Sequence, residues 1–503
     1  MVGRFALLLC LPIALAACQT TKGGKKKKAP PPPAPVAAAP APAAPEPKKK
    51  KKSDKGAANA QVSAAKPSGG DPSVGLMPFP PAERDAEGRD LIRVKVFPHA
   101  KGDLRTGLAE NTGEITIAGT CVELAGRPDR AGGTTRKLSE GSRFTYKKDA
   151  LKKPVWLACD GGALVDRGEA FTNNKYLGSF YVQRTDKGVE VINVVPMETY
   201  LRGVVPTEVI PSWPEDTLKA QAIAARTYAY YNIAFGLDSK NAKFFDVDDT
   251  AFFQAYSGLT AVTPATDKAV SDTAGAVLSF QGKAVLTFFN TDAGGFTESA
   301  EEVFSIKAPY LKAKKEAHDI TKTKSQWSVS AKLTEASDKL EKALPTGRRL
   351  KALTVEKADV TKSGRVRAVT ATLDDGKKHR IEAPEFKKAF HLKSSLFTIS
   401  PEGASGVKLS GAGSGHGVGM SQKGAKELVV QNQWDYKKIL AFYYDGTALC
   451  SLVKGAPHGL APCVGAGVAG EVPRGDEEER PGVAALPLPL RPERTTARAD
   501  LAF

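Results

Sequence analysis

The stretch "PTEVIPSWPEDTLKAQAIAARTY", residues 206 to 228, carries three carboxylates, Glu208, Glu215 and Asp216. A carboxylate near a helix start can cap the helix, pair with a cation or, where apolar neighbours keep it protonated, deliver a proton. Two of the three have structural explanations. Ser212-Trp213-Pro214-Glu215 fits a capping box, with Ser212 on the third amide and Glu215 answering at Ser212. Pro214 then sits where a missing N–H costs nothing, and Asp216 adds favourable charge to the first turn. Glu208 precedes the cap and is flanked by Val204, Val205, Val209, Ile210 and Trp213. Partial burial among them predicts a raised pKa and a protonated carboxyl near neutral pH, as a general acid requires. The alternatives are an exposed loop carboxylate or an ion-pair partner of Arg226 or Arg202.

The helix following these acids is expected to bury one face. Leu218, Ala222, Ala225 and Ala229 recur at i, i+4, i+7 and i+11, with so little bulk that another element must approach closely. Gly236 can end it. Ahead of it, from Asp90 to about Val195, "LIRVKVF", "GEITIAG", "SFYVQR" and "GVEVINVV" alternate in strand fashion between Gly, Asp and Asn turns. Residues 277 to 290 read as a hairpin around Gln281-Gly282, residues 327 to 400 as another β-rich stretch, and helices return from Met420 to Tyr444. The fold class is α+β, a β-rich N-terminal part packed on a helix-plus-hairpin core. The expected boundaries are 1–17 for a signal, 18–88 for a tether, 89–190 for the β-rich part, 191–450 for the core and 451–503 for a disordered Pro/Arg/Glu-rich tail.

The 503-residue chain has a net charge of +17, but the charge is uneven. Between Lys22 and Lys55 eleven lysines face only Glu46 and Asp54. The folded part is thus mildly basic, and nothing in it points to nucleic acid. Residues 19 to 88 are Lys-, Pro- and Ala-rich and cannot bury enough apolar area to fold; such a tether averages ~50 Å and reaches ~200 Å when extended. "MVGRFALLLCLPIALAACQTT" has one Arg, an apolar run too short to span a bilayer and a small-residue end, the build of a secretory signal. "LAAC" resembles a bacterial lipoprotein box, which implies lipidation of Cys18 and, with Gln19 next, an anchor on the periplasmic side of the outer rather than the inner membrane.

Export leaves Cys121, Cys159, Cys450 and Cys463, an even number suited to two disulfides. Proximity in sequence suggests Cys121–Cys159 and Cys450–Cys463, although four cysteines allow three pairings. No CxxC, HExxH, Cys/His cluster or Walker loop is present, so no metal and no cofactor are expected. "GAGSGHGVGM" lacks the spacing and context of a phosphate loop.

Several segments together resemble the SpoIID/LytB family, the sporulation stage II protein D and amidase-enhancer proteins. They are "VINVVPMETYLRGVVPTEVIPSWPEDTLKAQAIAARTYA" (191–229), "FFNTDAGGFTESAEEVF" (288–304), "SGRVRAVT" (363–370) with "LKSSLFTI" (392–399), and "GSGHGVGMSQKGAKELVVQNQWDYKKILAFYYDGTAL" (413–449). The resemblance implies action on peptidoglycan glycan strands, as a lytic transglycosylase or as a non-catalytic enhancer of a cell-wall amidase. The family's catalytic Glu matches Glu208. One acid suffices there: it protonates the glycosidic oxygen, the muramyl 6-hydroxyl attacks C1, and no second carboxylate is compulsory. Gly294 and Gly295, Thr297 and Glu298, His416 and Gln422 are the implied substrate-binding residues. Thr297 and Glu298 otherwise belong to a tight turn, and His416 otherwise is a buried hydrogen-bonding residue. Tyr443 and Tyr444 are stacking candidates or core. Some relatives carry Cys and His with zinc-binding chemistry after the first helix; Asp248, Phe252 and Phe253 stand there, and Asn290 replaces a His common in the next block, so no metal is carried over.

Overall fold

Strand-forming alternation and an alanine-rich helix generate most of the architecture. The computed structural model describes residues 76–77, 89–96, 113–128, 136–166, 174–186, 188–238, 244–318, 325–453 and 459–463. The expected signal, Cys18, nearly all of the tether and most of the tail lie outside these.

In chain order, β1 (Leu76–Met77), β2 (Leu91–Val96), β3 (Glu114–Leu124), β4 (Lys137–Lys147), β5 (Val155–Cys159), β6 (Ala163–Asp166), β7 (Lys175–Tyr176), β8 (Ser179–Thr185) and β9 (Gly188–Pro196) come first. Then follow α1 (Met197–Glu208), α2 (Glu215–Asp238), β10 (Val247–Asp248), α3 (Pro264–Asp272), β11 (Ala276–Phe280), β12 (Lys283–Val285), β13 (Phe289–Asn290) and α4 (Ala300–Phe304). The remainder comprises β14 (Gln326–Lys332), α5 (Leu333–Lys339), β15 (Leu350–Thr354), β16 (Ala368–Leu373), β17 (Lys378–Glu382), α6 (Ala383–Phe390), β18 (Phe397–Glu402) and β19 (Gly406–Ala412). The chain closes with β20 (Met420–Ser421), α7 (Gln422–Asn432), α8 (Tyr436–Tyr443) and β21 (Ala448–Ser451). The class is α+β.

The largest sheet runs β10-β2-β9-β8-β5-β3-β6-β7, with β4 on the other edge of β3. β3 pairs first with β6 and then with β5, and its register against β4 shifts between Ala118 and Cys121. Such a bulge bends a strand and lets the sheet curl. Cys121 and Cys159 are direct cross-strand partners and are disulfide-bonded. The expected boundary at 190 falls inside β9, because the pairing of β9 with β2 and β8 continues to Pro196. At the other margins, β1 pairs antiparallel with β12, inside the stretch expected to be tether. Cys463 is buried and bonded to Cys450, inside the expected tail.

α2 is the element around which the rest is arranged. Its sequence has five alanines and neither Gly nor Pro in its first five turns, which favours helix intrinsically. Leu218, Ala222, Ala225 and Ala229 enter one core, with the large sheet, α1 and α3. Ala220, Ile223, Ala224, Tyr228 and Tyr231 enter a second, with β11, β12, α7 and α8. The predicted stripe was therefore half of the burial. A third core, from Ala331 to Leu409, is enclosed by the β14-β19-β18 and β15-β16-β17 sheets and by α5 and α6.

The capping box does not form. α2 begins at Glu215, the Thr217 and Leu218 amides bond the Pro214 carbonyl, and Glu215 pairs with Lys219 and Lys268 instead of Ser212. Two lysine ammonium groups outcompete one backbone amide because the ion pair with Lys268 also links α2 to α3. Asp216 accepts the Tyr436 N–H at 3.1 Å, which ties the start of α8 to the start of α2.

Candidate functional site

Glu208 is the last residue of α1, so the chain leaves the helix at the acid itself. α1 reaches its position because residue 203 is glycine: a Cβ there would come within 2.3 Å of the Gly258 carbonyl and 2.6 Å of the Tyr256 ring. Thr207 Oγ1 lies 2.9 Å from Ser257 Oγ and donates to the Gly203 carbonyl, which fixes the same helix end to the 254–258 loop. Both arginines considered as partners of Glu208 are taken elsewhere. Arg226, fully buried, forms a two-pronged pair with Glu198 at 2.7 and 2.8 Å, and Arg202 does so with Asp267 at 2.7 and 2.9 Å.

The half-buried Glu208 carboxylate accepts the Ala255 N–H at 2.8 Å on Oε1 and the Gln422 Nε2 at 3.4 Å on Oε2. The residues on either side of Ala255 explain the first bond. Gln254 is fully buried, accepting the Tyr200 hydroxyl at 3.0 Å and donating to the Ala225 carbonyl; Tyr256 donates to Asn193 at 3.0 Å. With both neighbours anchored inward, the intervening amide is presented to Glu208. This role of Gln254 and Tyr256 had no signal in hydrophobic periodicity, since both are polar-bearing residues in a loop. Gln422 also donates to Gln221 Oε1 of α2 at 3.4 Å, so α1, α2 and α7 meet at the acid. Glu208 and Gln422 are thus brought together.

The glycine loop lies behind Gln422. Ala293 donates its N–H to Ser421 Oγ at 3.1 Å, while β13 pairs in parallel with β20. Gly294 and Gly295 both adopt positive φ, and their amides bond Asp292 and Glu316. Thr297 and Glu298 are buried and engaged internally. Thr297 Oγ1 donates to the Lys312 carbonyl and accepts the Lys314 N–H; Glu298 accepts the Ser299 N–H at 2.9 Å and the Ser363 hydroxyl at 2.5 Å. Arg365, also buried, donates to Ser363 and to the Phe296 and Ala293 carbonyls, which braces the loop from below. Asp292 is a buried carboxyl that sequence reasoning did not single out; burial pushes its pKa up, and its Oδ2 lies 3.9 Å from Lys423 Nζ.

His416 Nδ1 accepts the Val418 N–H at 3.0 Å, and its ring meets Phe288 and Phe304 edge-on at 5.8 and 5.2 Å. Desolvation, with Lys387 nearby, pulls its pKa down to about 4, so the imidazole is neutral at ordinary pH. It bonds the backbone of its own loop and of Phe289, not Glu208. Tyr443 and Tyr444 are core residues whose hydroxyls bond Glu316 and the Phe288 carbonyl. Among the described residues no group of three or more His, Cys, Asp or Glu is arranged to hold a metal ion.

A family profile described as "Stage II sporulation protein", SpoIID, matches residues 185–280, which include Glu208 and the Gln254–Tyr256 loop. A domain family of unknown function, DUF8618, matches residues 290–419. An uncharacterized protein of Brachyspira hyodysenteriae is 34% identical over 290 residues, 57% of this chain and 75% of that one. The chain belongs to the SpoIID/LytB family. Within this family it is 30% identical to the amidase enhancer of Bacillus subtilis over half of its own length and 40% of that protein's. It is 28% identical to stage II sporulation protein D of Bacillus amyloliquefaciens over 73% of that protein. The SpoIID match contains the α1–α2 unit, and the glycine loop lies near the start of the second match.

Proposed function

We propose that this SpoIID/LytB protein is a lytic transglycosylase that cuts peptidoglycan glycan strands and leaves 1,6-anhydromuramyl ends. The observation that carries this reading is Glu208: a half-buried acid at a helix end, oriented by one backbone amide and one side-chain amide while both nearby arginines serve other carboxylates. Ala255 holds Oε1, and Oε2, which accepts from Gln422 at 3.4 Å, is the oxygen this reading assigns to proton transfer.

The proton passes from Oε2 to the glycosidic oxygen as the C1–O bond breaks and the leaving sugar departs as an alcohol. The muramyl 6-hydroxyl of the same sugar attacks C1, and its proton returns to Glu208. Atoms balance without water, and the intramolecular nucleophile has the advantage of proximity. Ala255 and Gln422 hold the carboxylate in place through both steps. On the same reading the chain is exported and lipid-anchored through Cys18 to the outer membrane, its basic tether reaching into the wall.

A second reading is supported by the similarity to the amidase enhancer: the protein binds the wall or a cell-wall amidase without cutting. The test incubates the full chain and its Glu208→Gln variant with intact and with peptide-stripped peptidoglycan, followed by mass spectrometry. Anhydro products from the unaltered chain alone support the enzyme. Products from neither substrate, with wall binding intact, overturn it in favour of the enhancer.

A further inference from the structure

Two buried side chains on one face of α2, Gln221 and Thr217, carry polar atoms with no hydrogen-bond partner among the described residues: Nε2 of the first and Oγ1 of the second. Residues four apart on a helix are neighbours, about 5–6 Å between Cβ atoms, so the two groups belong to one place. Buried polar groups left unmet are costly, and native folds keep few of them.

The charge on Glu208 explains the orphaned nitrogen. A carboxylate can only accept, so it turns the Gln422 amide nitrogen towards its Oε2, at 3.4 Å. The same nitrogen faces Gln221 at 3.4 Å, and Gln221 must therefore answer with Oε1. Its Nε2, at the other end of the amide, is left without an acceptor. Gln422 is itself buried, so the orientations follow one another through two protein contacts.

Protonation reverses each step. A protonated Oε2 donates, so Gln422 turns its Oε1 to the acid. That oxygen has a second lone pair, which takes the Gln221 Nε2 hydrogen once the Gln221 amide turns as well. Gln221 Oε1 then accepts in its turn, and the Thr217 hydroxyl one turn away has a hydrogen to give. The acid form thus satisfies two buried groups that the ionised form leaves unmet. The titratable groups that sense Glu208 are Tyr200 on α1 and Tyr228 on α2; burial pushes both above the usual tyrosine range, so neither competes for its proton. Asp248 of β10 acts on the same two tyrosines and is bonded to Thr250.

We infer that Gln221 and Gln422 form an amide relay whose direction reverses with the charge on Glu208, with Gln221 as its positioning residue. The relay favours the acid form before the proton leaves and supplies a donor to the carboxylate afterwards. It rests on the reading of Glu208 as the group that gives the proton and takes one back.

The test titrates the Glu208 carboxyl in the full chain by carboxyl-carbon NMR on isotope-labelled glutamate, the signal being assigned by its loss in Glu208→Gln. Gln221→Met keeps length and burial but removes the amide. With the acid form no longer favoured, Glu208 is expected to titrate about one pH unit lower at an unchanged melting temperature. Gln221→Asn, one methylene too short to meet Gln422, is expected to shift it the same way and serves if the methionine variant does not fold. A side chain that merely fills space would leave the titration where it was, and an unchanged or higher titration point in a folded variant overturns the relay. A lowered titration point in a chain that yields no anhydro products keeps the relay and removes the lytic reading; anhydro products with an unmoved titration point do the reverse.

Discussion

Glu208 and Glu298 sit in comparable places, each where a helix meets a loop, one within residues 185–280 and the other within residues 290–419, yet their surroundings are opposite. Glu298 is 1% exposed, both of its oxygens are engaged at 2.9 Å or less, and the Arg365 guanidinium stands beyond Ser363. Glu208 is half-buried and holds a short bond on one oxygen and a 3.4 Å one on the other. A carboxylate saturated within the fold has no oxygen to offer a substrate. One that is half-buried, with a 3.4 Å bond on one oxygen, stands within reach of it. The sequence motif marks both acids alike; exposure separates architecture from chemistry.

Four measurements break or sharpen this contrast. The largest effect is expected at the acid itself. Glu208→Gln removes the proton but keeps the shape, so anhydro product formation falls by about 10³-fold or more while the melting temperature is unchanged. A parallel loss of stability would place Glu208 with Glu298. Next, Glu298→Gln weakens the charge that faces buried Arg365 and costs about 3 kcal/mol of folding stability by denaturant titration, with the surviving folded protein as active as before. Full stability with lost activity would reverse the two roles.

The third measurement follows pH. The pKa of His416 is lowered in the folded state to about 4 from an ordinary 6.5, so the unfolded chain takes up the proton first. Its contribution is complete above about pH 6.5 and is lost as pH falls towards 4; with the ring half-buried, a loss of about 2 kcal/mol is expected. His416→Asn, which can still accept from Val418, should flatten that slope, and an unchanged slope would assign it to other groups. The smallest effect is expected for Gln422→Leu. It removes one weak donor from Glu208, lowers turnover about tenfold and leaves affinity for glycan nearly unchanged, a split readable in kcat against KM.

Much of the fold was legible in local pattern. The alternating strands of the large sheet, the Gln281-Gly282 hairpin and the helices after Met420 all follow from short-range periodicity and turn chemistry. Capping was misread at Ser212, because Glu215 finds Lys268 on α3, fifty-three residues away, and no local rule anticipates a cation brought by tertiary packing. The burial of α2 was half seen for a related reason: alanine is compatible with any face, so a stripe of four did not forbid a second one. At the site, Glu208 stood out because capping could not account for it. Ala255 was invisible, since a backbone amide carries no residue signature, and nothing in local pattern shows that Gln254 and Tyr256 are the anchors that aim it. Thr297 and Glu298 looked like sugar-binding residues because exposed and buried hydrogen-bonders have the same letters.

The double burial of α2 has a consequence for how the molecule comes into being. One side of that helix meets strands and helices close to it in the chain, but Ala220, Ile223 and Ala224 wait for Ile439, Leu440 and Tyr444, more than two hundred residues downstream. As the chain emerges residue by residue, β11 and β12 can cover part of that second flank, and the rest stays bare until almost the last described segment arrives. Contacts of such long sequence separation slow folding and leave sticky surface open meanwhile. The protein therefore cannot mature piecewise from its N-terminus, and whatever holds the nascent chain must shelter that flank until α7 and α8 close over it.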